Sequence, residues 1–172
     1  TLIHQIIRVF LAFLLLAAVV SCSKEDNTSY NYFLSLEENL TLSQTYISGF
    51  INAASATYTD LNTIKGYVSD DVNVYNITYK TSSGGDAITG SGLVCLPSKP
   101  GEYPVICFMN GTNTVNAYCP SNFAYNTQYQ MVEIIASMGY VVVIPDYPGF
   151  GASSSTVHPY LVSEPTVKST VD

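Results

Sequence analysis

The chain has 172 residues, enough for one ordinary domain, and carries a formal net charge of −7 at pH 7. No basic patch occurs along it, which excludes nucleic acid as a partner, because phosphate contacts need clustered Lys and Arg. Charged residues are few while Tyr, Asn, Ser and Thr are plentiful, a balance that suits an extracytoplasmic surface.

From Ile6 to Val20 the residues are almost all apolar, with Arg8 as the only charge. A membrane-spanning helix needs about 20 apolar residues, so this shorter run reads as the core of a secretory signal. His4 and Arg8 give it a weak polar front, and a start at Thr1 rather than Met suggests that a more basic front is missing. The run ends in Val19-Val20-Ser21-Cys22, which resembles a bacterial lipobox. That resemblance implies a signal peptide over residues 1–21, cleavage before Cys22 and acylation of the Cys22 thiol. Its partner would be a membrane, held by the acyl chains at about 0.8 kcal/mol per buried CH₂. Ser23-Lys24-Glu25-Asp26-Asn27 resembles the surface-export signal of Bacteroidetes lipoproteins. The expected location is therefore the outer membrane, facing the cell exterior, with residues 22–34 as acylated cysteine and polar tether.

Residues 35–71 read as an N-terminal helical segment. Ser35-Leu36-Glu37-Glu38 has the form of a capping box, and Leu36, Leu40, Ile47, Phe50, Ile51 and Ala54 follow at helical spacing, predicting a helix over about 36–56. Val72, Val74, Tyr75, Ile77 and Tyr79 then alternate as in a half-buried strand. The turn Ser82-Ser83-Gly84-Gly85-Asp86 leads into a second strand from Ala87 to Leu96, so the two should form a hairpin. Val105 to Met109 is a continuous apolar run, the pattern of a strand covered on both faces. Thr127-Gln128-Tyr129-Gln130 reads as another capping box, ahead of a helical stripe through Met131, Ile134, Ile135 and Met138 that Gly139 ends. Tyr140 to Ile144 is a second apolar strand. Strand, helix and strand predict a βαβ unit with parallel strands, and a hairpin feeding it predicts a mixed α/β sheet. Cys95 and Cys107 fall in strand patterns and read as buried thiols. One disulfide among Cys95, Cys107 and Cys119 would fit the compartment, with the pair left open. No Cys or His spacing suggests a metal site.

Gly139 to Ser153 reads GYVVVIPDYPGFGAS, which resembles the fourth strand and following loop of α/β-hydrolases. With His158-Pro159-Tyr160-Leu161 the likeness narrows to secretory-lipase-like esterases, over roughly Asn73 to Asp172. The resemblance implies an α/β-hydrolase-like mixed sheet over 72–172, the N-terminal half of the domain, truncated before the nucleophile elbow. It places the oxyanion hole at Asn110-Gly111-Thr112, with Thr112 donating its N–H, Gly111 shaping the turn and Asn110, where histidine is common, supporting it.

The triad itself is missing, since no G-x-S-x-G occurs. Gly151-Ala152-Ser153-Ser154-Ser155 lacks the closing glycine and reads as loop. By the same resemblance His158 fixes the loop after the fourth strand, and Asp146 bonds to backbone N–H groups between Tyr147 and Gly151. Pro165 to Asp172 looks like the first turns of the next helix. The implied activity is hydrolysis of a small-molecule carboxylic ester by the full-length protein, through a serine nucleophile and without metal or cofactor. The chain itself should not turn over substrate. A non-catalytic surface lipoprotein or binding module, and a peptidase of the prolyl-oligopeptidase type, are the alternatives.

Overall fold

A computed structural model describes residues 31–172. The expected signal peptide, the expected lipidation site at Cys22 and most of the expected tether lie outside the described residues. Among those described, no helix is long and apolar enough to cross a membrane.

Ten residues, Phe33–Leu42, form strand β1. The helix expected from residue 36 is therefore strand for its first part. Leu34, Leu36, Leu40 and Leu42 also fit a period of two, and the pleat buries Leu40 and Leu42. Ser35, read as a helix cap, instead pairs its hydroxyl with that of Thr78 at 2.6 Å, and Asn39 Nδ2 donates to Asn76 Oδ1 at 2.9 Å. Cross-strand contacts of this kind outweigh weak helical preference. Helix α1 follows over Gln44–Ala54, and its cap is Ser43, whose side chain accepts from the Tyr46 N–H. Ile47 and Ile51, one turn apart, are fully buried and anchor α1 on the core. Each such side chain contributes about 1.5–3 kcal/mol.

Strands β2, Val72–Ser83, and β3, Asp86–Pro97, pair antiparallel in unbroken register from Val72 opposite Pro97 to Ser83 opposite Asp86. The turn between them is Gly84-Gly85 alone, with φ of +60° and +88°, as a two-residue hairpin with the strands' own twist requires. Strand β4 is Val105–Cys107, helix α2 is Thr127–Glu133 continued as a 3-10 turn to Met138, and β5 is Val141–Pro145. The α2 cap is Asn126, whose side chain accepts from the Gln128 N–H; Thr127 is the first helical residue, not the cap. Gly139, at φ +90°, terminates the run in the left-handed region. Helix α3, Ser163–Val171, starts two residues before Pro165 and lies against β2, where Tyr79 Oη donates to Ser169 O at 2.5 Å.

The five strands form one sheet in the order β1-β2-β3-β5-β4. Every neighbouring pair is antiparallel except β4 and β5, which run parallel as the βαβ pattern predicts. The result is a mixed α/β fold. Among the described residues β4 lies at one edge of the sheet, Val105 is 66% exposed and Cys107 is exposed, contrary to the burial on both faces and the buried thiol expected there. Cys95 is buried, and Cys95, Cys107 and Cys119 are all unpaired, so no disulfide joins them.

Core side chains from β2, β3 and β5 meet α1 and α2, with Val72, Val74, Leu93, Val142 and Ile144 fully enclosed. One charge-bearing residue sits among them. Glu133 of α2 is 0% exposed, and neither carboxyl oxygen has a hydrogen-bond partner. Burial alone pushes its carboxyl up to about 8.

Candidate active site

Because β4 and β5 are parallel, the chain leaves both at the same edge of the sheet. The turn after β4 begins at Asn110, which is buried; its Nδ2 donates to Pro145 O at 3.0 Å, at the end of β5. Tyr147, two residues further along the other segment, donates its hydroxyl to Asn110 O at 2.6 Å. These two bonds tie the Asn110-Gly111-Thr112 turn to the loop after β5. Gly111 and Thr112 are exposed, and no hydrogen bond among the described residues uses the N–H of either. A Cβ built on Gly111 would meet open space.

A cavity of about 540 Å³ opens beside this turn, bounded by Tyr147 and His158 from the β5 loop and by Leu161, Val162 and Val167 approaching and within α3. His158 Nδ1 lies 2.7 Å from Pro148 O; a carbonyl only accepts, so Nδ1 donates to it. The ring is held between Tyr147, stacked at 6.4 Å, and Phe150, tilted at 4.9 Å. Gly149, at φ +92°, makes room for it, since a Cβ there would sit 2.7 Å from the His158 backbone. Leu161 adopts φ +62°, a conformation uncommon for a residue with a side chain, and is 89% exposed at the rim.

Asp146 does not bond to the N–H groups of its own loop. Its carboxylate accepts from Ser91 Oγ at 2.5 Å, from Ser121 Oγ at 2.5 Å and from Ser121 N–H at 3.1 Å. The loop is held one step removed: the Ala152 N–H donates to Ser91 Oγ at 2.8 Å, and the Gly151 N–H to Asn116 Oδ1 at 2.7 Å. Asp146 thus knits β3, the 116–122 segment and the β5 loop together. Charge-assisted bonds of this kind are the strong ones. Gly151, at φ +57°, allows it, because a Cβ there would fall 2.1 Å from Asp146 Oδ2.

Ser153 is buried, donating to Phe150 O and accepting from the Gly149 N–H, so its oxygen is spent inside its own turn. The structure brings Asn110, Gly111, Thr112 and His158 to one cavity and leaves Asp146 behind it. The sequence offered no role for Ser91 or Ser121 and marked Tyr147 only as the start of the loop. A hint existed for the first: Gly90-Ser91-Gly92 is an unusual run of small residues inside a strand, the mark of close backbone approach. A Cβ on Gly92 would lie 2.6 Å from Ile144 O of β5.

No protein-family model and no curated protein matches the chain. Solved structures do. A Legionella pneumophila protein assigned as a hydrolase superposes with a TM-score of 0.70 at 27% identity, over 82% of this chain and 37% of that one. The rice cell wall degrading esterase LipA from Xanthomonas oryzae, in a ligand-bound form, gives a TM-score of 0.65 at 25% identity, over 83% of this chain and 36% of that one. A mutant of the same esterase, at 24% identity and a TM-score of 0.62 over 83% of this chain and 35% of that one, adds likeness of fold alone. The chain therefore spans 35–37% of the length of these neighbours, and over that span its mixed α/β fold is one found in hydrolases and esterases.

Proposed function

We propose that this chain forms the front part of an exported serine hydrolase of the α/β-hydrolase type, acting on carboxylic esters and anchored to the outer membrane through lipidated Cys22. One observation carries the reading. The parallel pair β4 and β5 delivers the Gly111-Thr112 turn, with two uncommitted N–H groups, to the same cavity as the loop after β5. In open parallel sheets ligands bind at that edge, beyond the carboxyl ends of the strands.

The chemistry asks for what this turn offers. A serine Oγ gives its proton to a histidine and adds to the ester carbonyl carbon; the carbonyl oxygen takes the negative charge. N–H groups fixed in advance at that position stabilise the charge, and losing one such donor costs about 10²–10³ in rate. Collapse breaks the bond to the alcohol, which takes the proton from the histidine, and water then releases the acid. Thr112, with Gly111, supplies the N–H groups, and Asn110 holds their turn to Pro145. The nucleophile belongs to a part of the hydrolase fold outside the share of the neighbours that this chain matches.

The test is covalent labelling by a serine-reactive fluorophosphonate. Residues 22–172 should stay unlabelled, and a chain extended to the neighbours' size should label. Labelling of residues 22–172 alone, or of neither protein, overturns the reading.

A further inference from the structure

The first half of β1 is apolar and uncovered. Tyr32, Phe33, Leu34 and Leu36 are each between 45% and 53% exposed, while Leu40 and Leu42 of the same strand are buried. Single exposed apolar side chains are ordinary, but a run of them on one strand marks a surface that meets something other than water. Phe33 pairs with Tyr79 and Leu36 with Ile77; Tyr79 and Ile77 stand two apart, so Phe33 and Leu36 share one face. The register slips between Phe33 and Ser35 and leaves Leu34 out of the pairing. No charged residue occurs from Asn31 to Leu36, and the exposed pair Glu37-Glu38 follows at once. Among the described residues β1 forms one edge of the sheet and β4 the other. Residues 22–30 separate Cys22 from the described chain, and even fully extended they span at most about 30 Å. On the lipid-anchored reading given above, β1 therefore starts within that distance of the membrane.

We propose that Tyr32, Phe33, Leu34 and Leu36 form a seat for a zwitterionic lipid surface, entering the boundary between headgroups and acyl chains edge-on while Glu37 and Glu38 stay in water. The apolar side chains gain by leaving water, and a tyrosine, apolar in its ring and polar at its hydroxyl, suits a boundary that is dry on one side and wet on the other. Two features keep the seat shallow. Burying the carboxylates of Glu37 and Glu38 is costly, and the open N–H and C=O groups of an edge strand need the water that persists among headgroups. With no Lys or Arg in β1 and a net charge of −7, an anionic surface would repel the chain rather than draw it in. A tether alone fixes position; a second contact also fixes orientation. Four strand spacings separate β1 from β4, so the seat holds the β4 edge about 19 Å further from the lipid. The proposal rests on the anchoring half of the reading above and does not need catalysis.

The chain has no tryptophan, so Phe33→Trp puts a single fluorophore in the seat, and Val105→Trp puts one at an exposed position on the opposite edge. Each variant, isolated from bacteria as the processed protein, is reconstituted in phosphatidylcholine vesicles whose acyl chains carry bromine, a contact quencher. Phe33→Trp should lose about half its emission, as a side chain at the acyl boundary does, and Val105→Trp should keep nearly all of it. Adding Leu34→Ser and Leu36→Ser, both at exposed positions, should remove most of the quenching of Phe33→Trp. Combined with Cys22→Ser, Phe33→Trp should still be quenched by added vesicles, at about 10²-fold more lipid, because the tether no longer concentrates the seat. Equal quenching at the two positions, none at Phe33→Trp, or tighter binding to phosphatidylglycerol vesicles overturns the seat. A Cys22→Ser chain that sediments at twice the monomer mass, with the Phe33→Trp emission already blue-shifted before lipid is added, assigns the strand to a second copy and also overturns it. Quenching of the Cys22→Ser chain when no palmitate enters the native one removes the anchor and leaves the seat; palmitate incorporation with Phe33→Trp unquenched does the reverse.

Discussion

Replacing Glu133 with Gln should abolish a large part of the pH dependence of folding. Glu133 is fully enclosed, with neither oxygen hydrogen-bonded, and its carboxyl is pushed up from 4.5 to about 8 by burial. Below pH 4.5 the side chain is protonated in folded and unfolded chains alike, and folding loses nothing to it. As pH rises from 4.5, the unfolded chain ionises while the folded one holds its proton, so stability drains away until about pH 8 and is level beyond. At about 1.4 kcal/mol per tenfold, the gap between 4.5 and about 8 amounts to a ceiling of about 5 kcal/mol. That is comparable to the whole stability of many domains, about 5–15 kcal/mol. The assay is urea unfolding at pH 5, 6.5 and 8 for both proteins. With a slope of about 1–3 kcal/mol per molar, the native midpoint should fall by molar amounts across the window while that of Glu133→Gln stays nearly flat. The variant should match the native chain near pH 5 and exceed it at pH 8. Parallel midpoint curves for the two proteins would refute the argument.

Asp146→Asn weakens the bonds from Ser91 and Ser121 and should destabilise the fold by about 2–4 kcal/mol in urea unfolding, with the loop at Ala152 loosened in hydrogen exchange. Gly149→Ala forces a side chain into φ +92° against the His158 backbone, and thermal unfolding should show a loss of more than about 1 kcal/mol with a shifted His158 imidazole resonance. In the native chain an alkylating reagent should modify exposed Cys107 and spare buried Cys95 until the protein is unfolded, and mass spectrometry of the peptides reads the difference. Partial desolvation of its sulfur raises the Cys107 thiol above its usual range although the residue is exposed, so its modification should accelerate toward alkaline pH. Labelled palmitate fed to an expressing bacterium should enter the protein and be absent from Cys22→Ser; equal incorporation in both rejects lipidation at that residue.

The hairpin and the βαβ unit were legible because their signals are local. Alternation over 72–80, two glycines between strands, and two apolar runs separated by a helical stripe each report the backbone directly. The N-terminal stretch was misread because Leu36, Leu40, Ile47 and Ile51 satisfy a helical period, while what makes Phe33–Leu42 a strand is its pairing with β2, with partners from Leu42 opposite Val72 to Phe33 opposite Tyr79. Val105 illustrates a different blindness: an apolar run predicts burial, and whether a neighbouring element supplies it is a matter of sheet order. At the site, the resemblance to α/β-hydrolases pointed to Asn110, Gly111, Thr112, Asp146 and His158. The partners of Asp146 were out of reach, since Ser91 and Ser121 come from remote segments and ordinary serines carry no signal of what they touch.

The two-glycine turn between β2 and β3 has a kinetic consequence. Twelve register pairs zip from a closure of only two residues, an event on the order of 1–10 µs in isolated hairpins. Joining β1 to β2 across residues 43–71, and β5 to β3 across residues 98–140, spends far more loop entropy and comes later. The ribbon is therefore the template of assembly, and the edge carrying Asn110 and Tyr147 is fastened last.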